Sequence, residues 1–326
     1  MRPTMLPDLS YDATAERPDW ADLPPAVRTA ISERLGGKVT SARTAGSGFT
    51  RGFAAVLSTA AGDRAFVKAA PADEPAGDAY AREAEITAAL PVGVPAPRLL
   101  WTAQESGWFV MCLVAVDGRL PRLPCDPAEL SAALAAHATA AAALREPPAS
   151  LVALGLPTLA DIARDSLARW QEIAAHRAPV PAMPRYGLTR LDELAALEAT
   201  LPGHTAGPGI AHCDLRLDNI IMDSAGRAWI CDWNWLCHGP AYVDTVSLLT
   251  AAYASGFDAD ALFRGDPTAQ GVPEEAVDAA LAALAGHYLV SSGYDTMGAA
   301  PALRAHQRWS GDVTLAWLAD RRGWSP

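Results

Sequence analysis

From residue 39 to residue 68 apolar and polar positions come in short runs broken by glycine: 39–44, the segment Gly46-Ser47-Gly48-Phe49-Thr50-Arg51-Gly52, then 53–58, a turn at Ala61-Gly62-Asp63, and 64–69. Runs of that length predict an antiparallel β-meander. The apolar positions then recur at helical spacing over 78–90, and Pro91 supplies a stop. After Val94-Pro95-Ala96-Pro97 two more strands are expected, 98–102 and 108–116, the second ending at Asp117-Gly118, so the sheet should hold about five strands. Beyond Gly118 the period is helical almost throughout: 127–144, 159–175, 190–200, 243–253, 273–290 and 301–320. One β-rich interruption spans 210–235, and the Pro-rich stretches near 146–157 and 178–184 read as connectors. Ahead of the meander, residues 1–20 form a polar, Pro-containing arm, and 24–35 a short helix stopped by Gly36-Gly37.

Strands first and helices after predict an α+β chain in two lobes. The expected division is an arm and helix over 1–38, a sheet lobe with one helix over 39–117, and a larger, mostly helical lobe over 118–326. A length of 326 residues agrees, because it exceeds what one core usually serves. A cleft between the lobes is the natural place for chemistry.

Composition narrows the classes. Half the residues are hydrophobic, as in ordinary globular proteins. The first thirty residues hold no apolar signal core, and the Ala-rich helix near 130–144 is too short for a bilayer, so neither export nor a membrane span is expected. Five cysteines without a Cys-x-x-Cys pair fit a reducing cytoplasm. A net charge of −11 makes nucleic acid a poor partner. It leaves cationic or neutral small molecules open, although acidity also serves plain solubility.

Lysine occurs only at Lys38 and Lys68, and asparagine only at Asn219 and Asn234, against abundant arginine. A lysine kept in such a chain marks a place where arginine does not serve.

The strongest pattern is His212-Cys213-Asp214-Leu215-Arg216-Leu217-Asp218-Asn219, followed by the apolar run 220–222 and by Trp229-Ile230-Cys231-Asp232-Trp233. This is the H-x-D-x-x-x-x-N pattern of kinase catalytic loops, with a second Asp on the following strand. Phosphoryl transfer needs positioning and charge neutralisation more than covalent help. Asp214 stands where a catalytic base accepts the acceptor hydroxyl's proton, while Asn219 and Asp232 stand where oxygen ligands hold Mg2+ beside nucleotide phosphates. A buried Asp and Asn capping a turn and a hairpin would be the plain structural alternative. His212 reads as a packed, hydrogen-bonded brace for the loop rather than as a catalyst.

Lys68 closes an apolar strand, where an ammonium needs a partner. Glu83 and Glu85 on the 78–90 helix are the candidates, with Glu83 preferred, and such a pair would aim the amine at the phosphates of ATP. Gly46, Ser47 and Gly48 lie between strands, where backbone amides can approach phosphate oxygens. An ordinary Gly-rich hairpin explains the same segment, and it is not a P-loop, since no Gly-Lys-Ser/Thr follows.

Taken together these residues resemble the aminoglycoside phosphotransferase family, with its choline- and homoserine-kinase-like relatives, over roughly residues 40–290. Arg82-Glu83, Val94-Pro95-Ala96-Pro97 and His238-Gly239-Pro240-Ala241-Tyr242-Val243-Asp244 add to the likeness. The resemblance implies a two-lobed protein-kinase-like fold, and an ATP- or GTP-dependent, Mg2+-requiring kinase for a small-molecule hydroxyl. It also implies a hinge near 113–117 whose backbone, including Val114 and Val116, reads adenine, and Asp244 as a structural acid beneath the catalytic loop. The acceptor would sit among helices within 159–205 and 250–320, whose acids include Asp161, Asp165, Glu172, Asp258, Asp260, Glu274 and Glu275. Whether it is an antibiotic, a sugar or an amino alcohol is left open, and either a monomer or a homodimer fits.

Two departures matter: Trp233-Asn234 replaces Phe-Gly after Asp232, and no Ala-Pro-Glu segment follows. Only about ten residues separate Asp232 from the next helix, so a regulated protein kinase ranks below a small-molecule kinase. A catalytically silent pseudokinase is the rival from another class.

Overall fold

The computed structural model describes residues 4–207, 209–295 and 300–324. Five strands, β1 (Val39–Thr44), β2 (Phe53–Thr59), β3 (Arg64–Pro71), β4 (Leu99–Glu105) and β5 (Trp108–Val114), form one antiparallel sheet in the order β1-β2-β3-β5-β4. Helix α1 (Pro25–Arg34) packs Val27 and Ile31, together with Leu23 just ahead of it, with Phe53, Leu57, Val67 and Val110 on one face of it. Helix α2 (Pro75–Ala89) brings Tyr80 and Ala84 against Met111 and Leu113 on the other. Alternate side chains of a strand point to opposite faces, so Val110 and Met111, neighbours in sequence, serve different cores.

The second lobe begins with β6 (Gly118–Arg119), α3 (Pro127–Ala143), α4 (Ala149–Val152), α5 (Leu159–Asp165), α6 (Arg169–Ala174), α7 (Arg185–Leu188) and α8 (Leu191–Thr200). It continues through β7 (Ile210–Ala211), β8 (Ile220–Asp223), β9 (Ala228–Ile230), β10 (Cys237–His238), α9 (Tyr242–Ala254), α10 (Ala259–Gly265), α11 (Glu274–Ser292) and α12 (Pro301–Arg322). Strands β6, β8 and β9 form a small sheet and β7 pairs with β10, which together present the 212–219 loop at the lobe's surface. Behind them α11 and α12 lie so close that a side chain added at Gly311 would stand 2.9 Å from the Leu289 backbone nitrogen. Among the described residues no helix is long and apolar enough to cross a membrane.

The structure differs from the sequence pattern in several places. The helix expected over 159–175 is broken after Asp165, and α6 restarts it with three N–H groups, those of Arg169, Trp170 and Gln171, bonded to the carboxylate of Glu198 at 2.9–3.0 Å. A negative group at a helix N-terminus satisfies donors that the helix itself cannot. The 146–157 connector holds α4, and α10 adds a seven-residue helix capped by Asp258, which accepts the Ala261 N–H at 2.9 Å. Residues 1–38, set apart in sequence, do not stand apart in space. Besides α1 on the sheet, the arm touches the far lobe, where Met5 N–H donates to Ala254 O (2.8 Å) and Trp309 Nε1 donates to Met5 O (2.6 Å).

Candidate active site

The 212–219 loop is held from below by Asp244 on the first turn of α9. Its buried carboxylate accepts the backbone N–H of His212 (2.7 Å) and of Cys213 (2.8 Å). Cys213 has φ of 65°, a left-handed conformation a non-glycine residue keeps only when its surroundings enforce it. His212 is buried against Trp233, accepts the Asp214 N–H at Nδ1 (3.3 Å) and so donates from Nε2 to Cys231 O (3.0 Å). Burial lowers its pKa, which keeps the ring a neutral brace joining the loop to the Asp232 strand.

Within the loop Asn219 Nδ2 donates to Asp214 O (2.8 Å) and to Asp214 Oδ2 (3.2 Å), so the Asn219 carbonyl oxygen faces elsewhere. Arg216 bonds the other Asp214 oxygen and grips Asp218 with Nε and Nη2, both at 3.0 Å. Burial pushes the Asp214 carboxyl up to about 7, against the pull of Arg216 and with added repulsion from Asp218 and Asp232. Asp218 shares that burial, yet Arg216 holds it below the usual carboxylate range. The two carboxylates are thus driven apart, the usual sign of groups with different tasks.

From the sheet lobe, Lys68 Nζ lies 2.5 Å from Glu83 Oε2 and 3.6 Å from Asp232 Oδ1. Burial opposes the ammonium, but those two carboxylates outweigh it and hold Lys68 charged. Glu85 instead sits by Arg82 at 3.7 Å on the exposed side of α2. Lys68 in turn holds the Asp232 carboxyl low despite its burial. Asp232 has φ of 62° and accepts Asn234 Nδ2 at 2.6 Å, while Asn234 Oδ1 is buried without a partner. The donor set suits a hard cation: the Asn219 carbonyl, the Asp232 carboxylate and the orphaned Asn234 amide oxygen are few and all oxygen. Among the described residues no group of three or more His, Cys, Asp or Glu is placed to hold a metal.

The Gly-rich segment takes a course the sequence does not foretell. Gly46 lets the arm pass so closely that a Cβ there would meet Asp12 O at 1.9 Å, and Gly48, at φ 96°, faces Arg17. Gly48 N–H donates to Thr14 Oγ1 (3.1 Å), and Arg17 reaches Ser47 O (3.0 Å), Gly52 O (2.9 Å) and the Tyr80 hydroxyl (3.1 Å). At the tip the Phe49 ring packs tilted, 5.2 Å from that of His306 and 5.9 Å from the Arg216 guanidinium. Of the hinge residues, Val114 closes β5 with its N–H given to Arg98 O (2.9 Å), and Val116 follows in the strand-free link to β6. Arg216, Tyr11, Thr14, Arg17 and Phe49 were not singled out from sequence. Arg216 lies inside the octad at an unspecified position of the pattern, Tyr11 acts across nearly the whole chain length, and Thr14 and Arg17 act on residues 30 to 63 positions away, where no local pattern speaks.

The model of the phosphotransferase enzyme family, APH, matches residues 43–297. No curated protein matches the chain in sequence. Among solved structures, the aminoglycoside phosphotransferase APH(4)-Ia in ternary complex with ADP and hygromycin B superposes with a TM-score of 0.61 at 15% identity, covering 92% of this chain and 99% of its own. An aminoglycoside phosphotransferase from Alicyclobacillus acidocaldarius gives 0.56 at 15% identity over 93% and 98%. A protein assigned as a fructosamine-3-kinase from Haemophilus somnus 129PT gives 0.57 at 12% over 92% and 97%. The two-lobed α+β architecture is therefore that of the protein-kinase-like fold. The chain belongs to the phosphotransferase enzyme family and is a small-molecule kinase.

Proposed function

We propose that this kinase moves the γ-phosphoryl group of ATP or GTP to a hydroxyl of a small molecule, with Asp214 as base. The observation that carries the reading is the convergence of Lys68, Glu83 and Asp232 in one buried ion-pair chain beside the Asp214–Asn219 pair. Lys68, fixed by Glu83, meets the nucleotide's phosphates as a point charge. Gly46, Ser47 and Gly48 cover them, and the backbone near Val114 and Val116 reads the base through amides other than that of Val114. Asn219 and Asp232 would hold Mg2+, which when bound neutralises charge developing on the phosphate oxygens. Asp214, oriented by Asn219 and Arg216, takes the acceptor's hydroxyl proton as the oxygen bonds phosphorus. A pseudokinase, the second reading, would be expected to lack at least one of these groups.

The test is release of ADP from Mg-ATP, or of GDP from Mg-GTP, over a panel of hydroxyl acceptors. Asp214→Asn should lower turnover by about a thousandfold or more while nucleotide affinity stays within a few-fold, because the base and not the phosphate contacts is changed. Asp232→Asn should instead weaken Mg-nucleotide binding itself. Nucleotide binding with no acceptor-dependent release on any compound would favour the pseudokinase.

A further inference from the structure

The arm, which lies ahead of the residues matched by the family model, runs alongside the Gly-rich segment and takes up its backbone groups in turn. Ala15 N–H donates to Gly46 O (2.9 Å), Gly48 N–H donates to Thr14 Oγ1 (3.1 Å), and the Arg17 guanidinium completes the series. Its Nη2 donates to Ser47 O (3.0 Å) while Nη1 donates to Gly52 O (2.9 Å), so one planar group bridges two carbonyls towards opposite ends of the segment. Nη1 also reaches the hydroxyl of Tyr80 at 3.1 Å. Tyr80 is buried on α2, about one turn ahead of Glu83, and its ring stands 5.3 Å from Lys68 Nζ. Gly52 packs so tightly on that ring that a Cβ would lie 2.6 Å from it. Arg17 therefore ties the Gly-rich segment to the same helix that carries the partner of Lys68.

Glycines at 46, 48 and 52 leave such a segment wide conformational freedom, and freedom lost on binding is subtracted from affinity. A segment already held in shape gives up less when it closes over phosphates. The guanidinium suits the task because its donors are fixed in a rigid fork, whereas an ammonium is a compact point charge on a flexible stem.

Resting on the kinase reading above, we propose that Arg17 is a positioning residue for phosphoryl transfer. It holds residues 46–52 in the shape that covers the nucleotide's phosphates, which makes the arm a working part of the nucleotide site.

The experiment measures binding of Mg-ATP and of adenosine to the full chain by titration calorimetry. Arg17→Ala should weaken Mg-ATP by about tenfold or more with adenosine within about twofold, because only the part of the site that meets phosphate is loosened. Arg17→Lys keeps the charge without the fork and should regain little of that loss. Equal weakening of both ligands, which general loosening of the sheet lobe would produce, overturns the inference, and so does unchanged affinity for both. Full recovery of Mg-ATP binding in Arg17→Lys overturns it too, since a positive charge near the phosphates would then be sufficient. If Arg17→Ala does not fold, Arg17→Lys is judged by the same two ligands: a loss confined to Mg-ATP supports the inference, and wild-type affinity for both overturns it. Wild-type protein that binds neither ligand brings down the kinase reading itself, a result distinct from any change confined to the variants.

Discussion

His306 shows how one buried ring ties the site to stability. An unfolded histidine takes up its proton near pH 6.5, whereas the folded one, desolvated and facing Arg216, with Asp218 only partly opposing, does so near pH 3. Between those values the unfolded chain binds the extra proton. Stability contributed by this ring is therefore complete above about pH 6.5 and falls as pH drops towards 3, by at most about 1.4 kcal/mol per pH unit. Urea midpoints of wild type and His306→Gln at pH 7 and pH 5 should show the shallower acid slope in the variant, and identical slopes would refute this account. At this scale the octad, Lys68 and the choice of Glu83 over Glu85 were readable, because each follows from the type and spacing of neighbouring residues. His306 was not, since nothing near it in sequence announces Tyr11, Phe49 and Arg216 as its surroundings.

Elements show the same division between local and distant causes. The five-strand sheet and the long helices followed from apolar period and from Gly and Pro stops, and their ends agree within a few residues. The break between α5 and α6 did not, because its cause is Glu198, which lies on α8 and caps α6 from outside. Glu198→Ala should cost ~3 kcal/mol, read as a shift in the urea midpoint with an unchanged slope, since three N–H groups of the α6 N-terminus, one of them buried, lose their acceptor at once. Gly286 on α11 belongs to the same junction: a Cβ there would lie 2.8 Å from Trp170 Nε1 and 3.1 Å from Glu198 Oε1. Gly286→Ala should therefore destabilise, although alanine is the better helix former by about 1 kcal/mol. A variant more stable than wild type would show that the junction yields.

For the whole molecule, the arm matters more than its composition suggests. It crosses from Ala254 and Trp309 in the helical lobe, past His306, to the Gly-rich segment of the sheet lobe. Arg17→Ala removes contacts to two carbonyls of that segment and to Tyr80. Amide hydrogen exchange over residues 46–52 should accelerate in that variant while the core of α11 is unaffected. Equal acceleration in both would mean general loosening instead. The reach of the arm has a further consequence, for the order in which the protein is made. Tyr11 and Met5 leave the ribosome about three hundred residues before His306 and Trp309, the partners that hold them. The sheet can pair while the helical lobe is still being synthesised, but the strap cannot be fastened until α12 has emerged. A nascent chain stalled before α12 would carry a finished sheet and an unfastened arm.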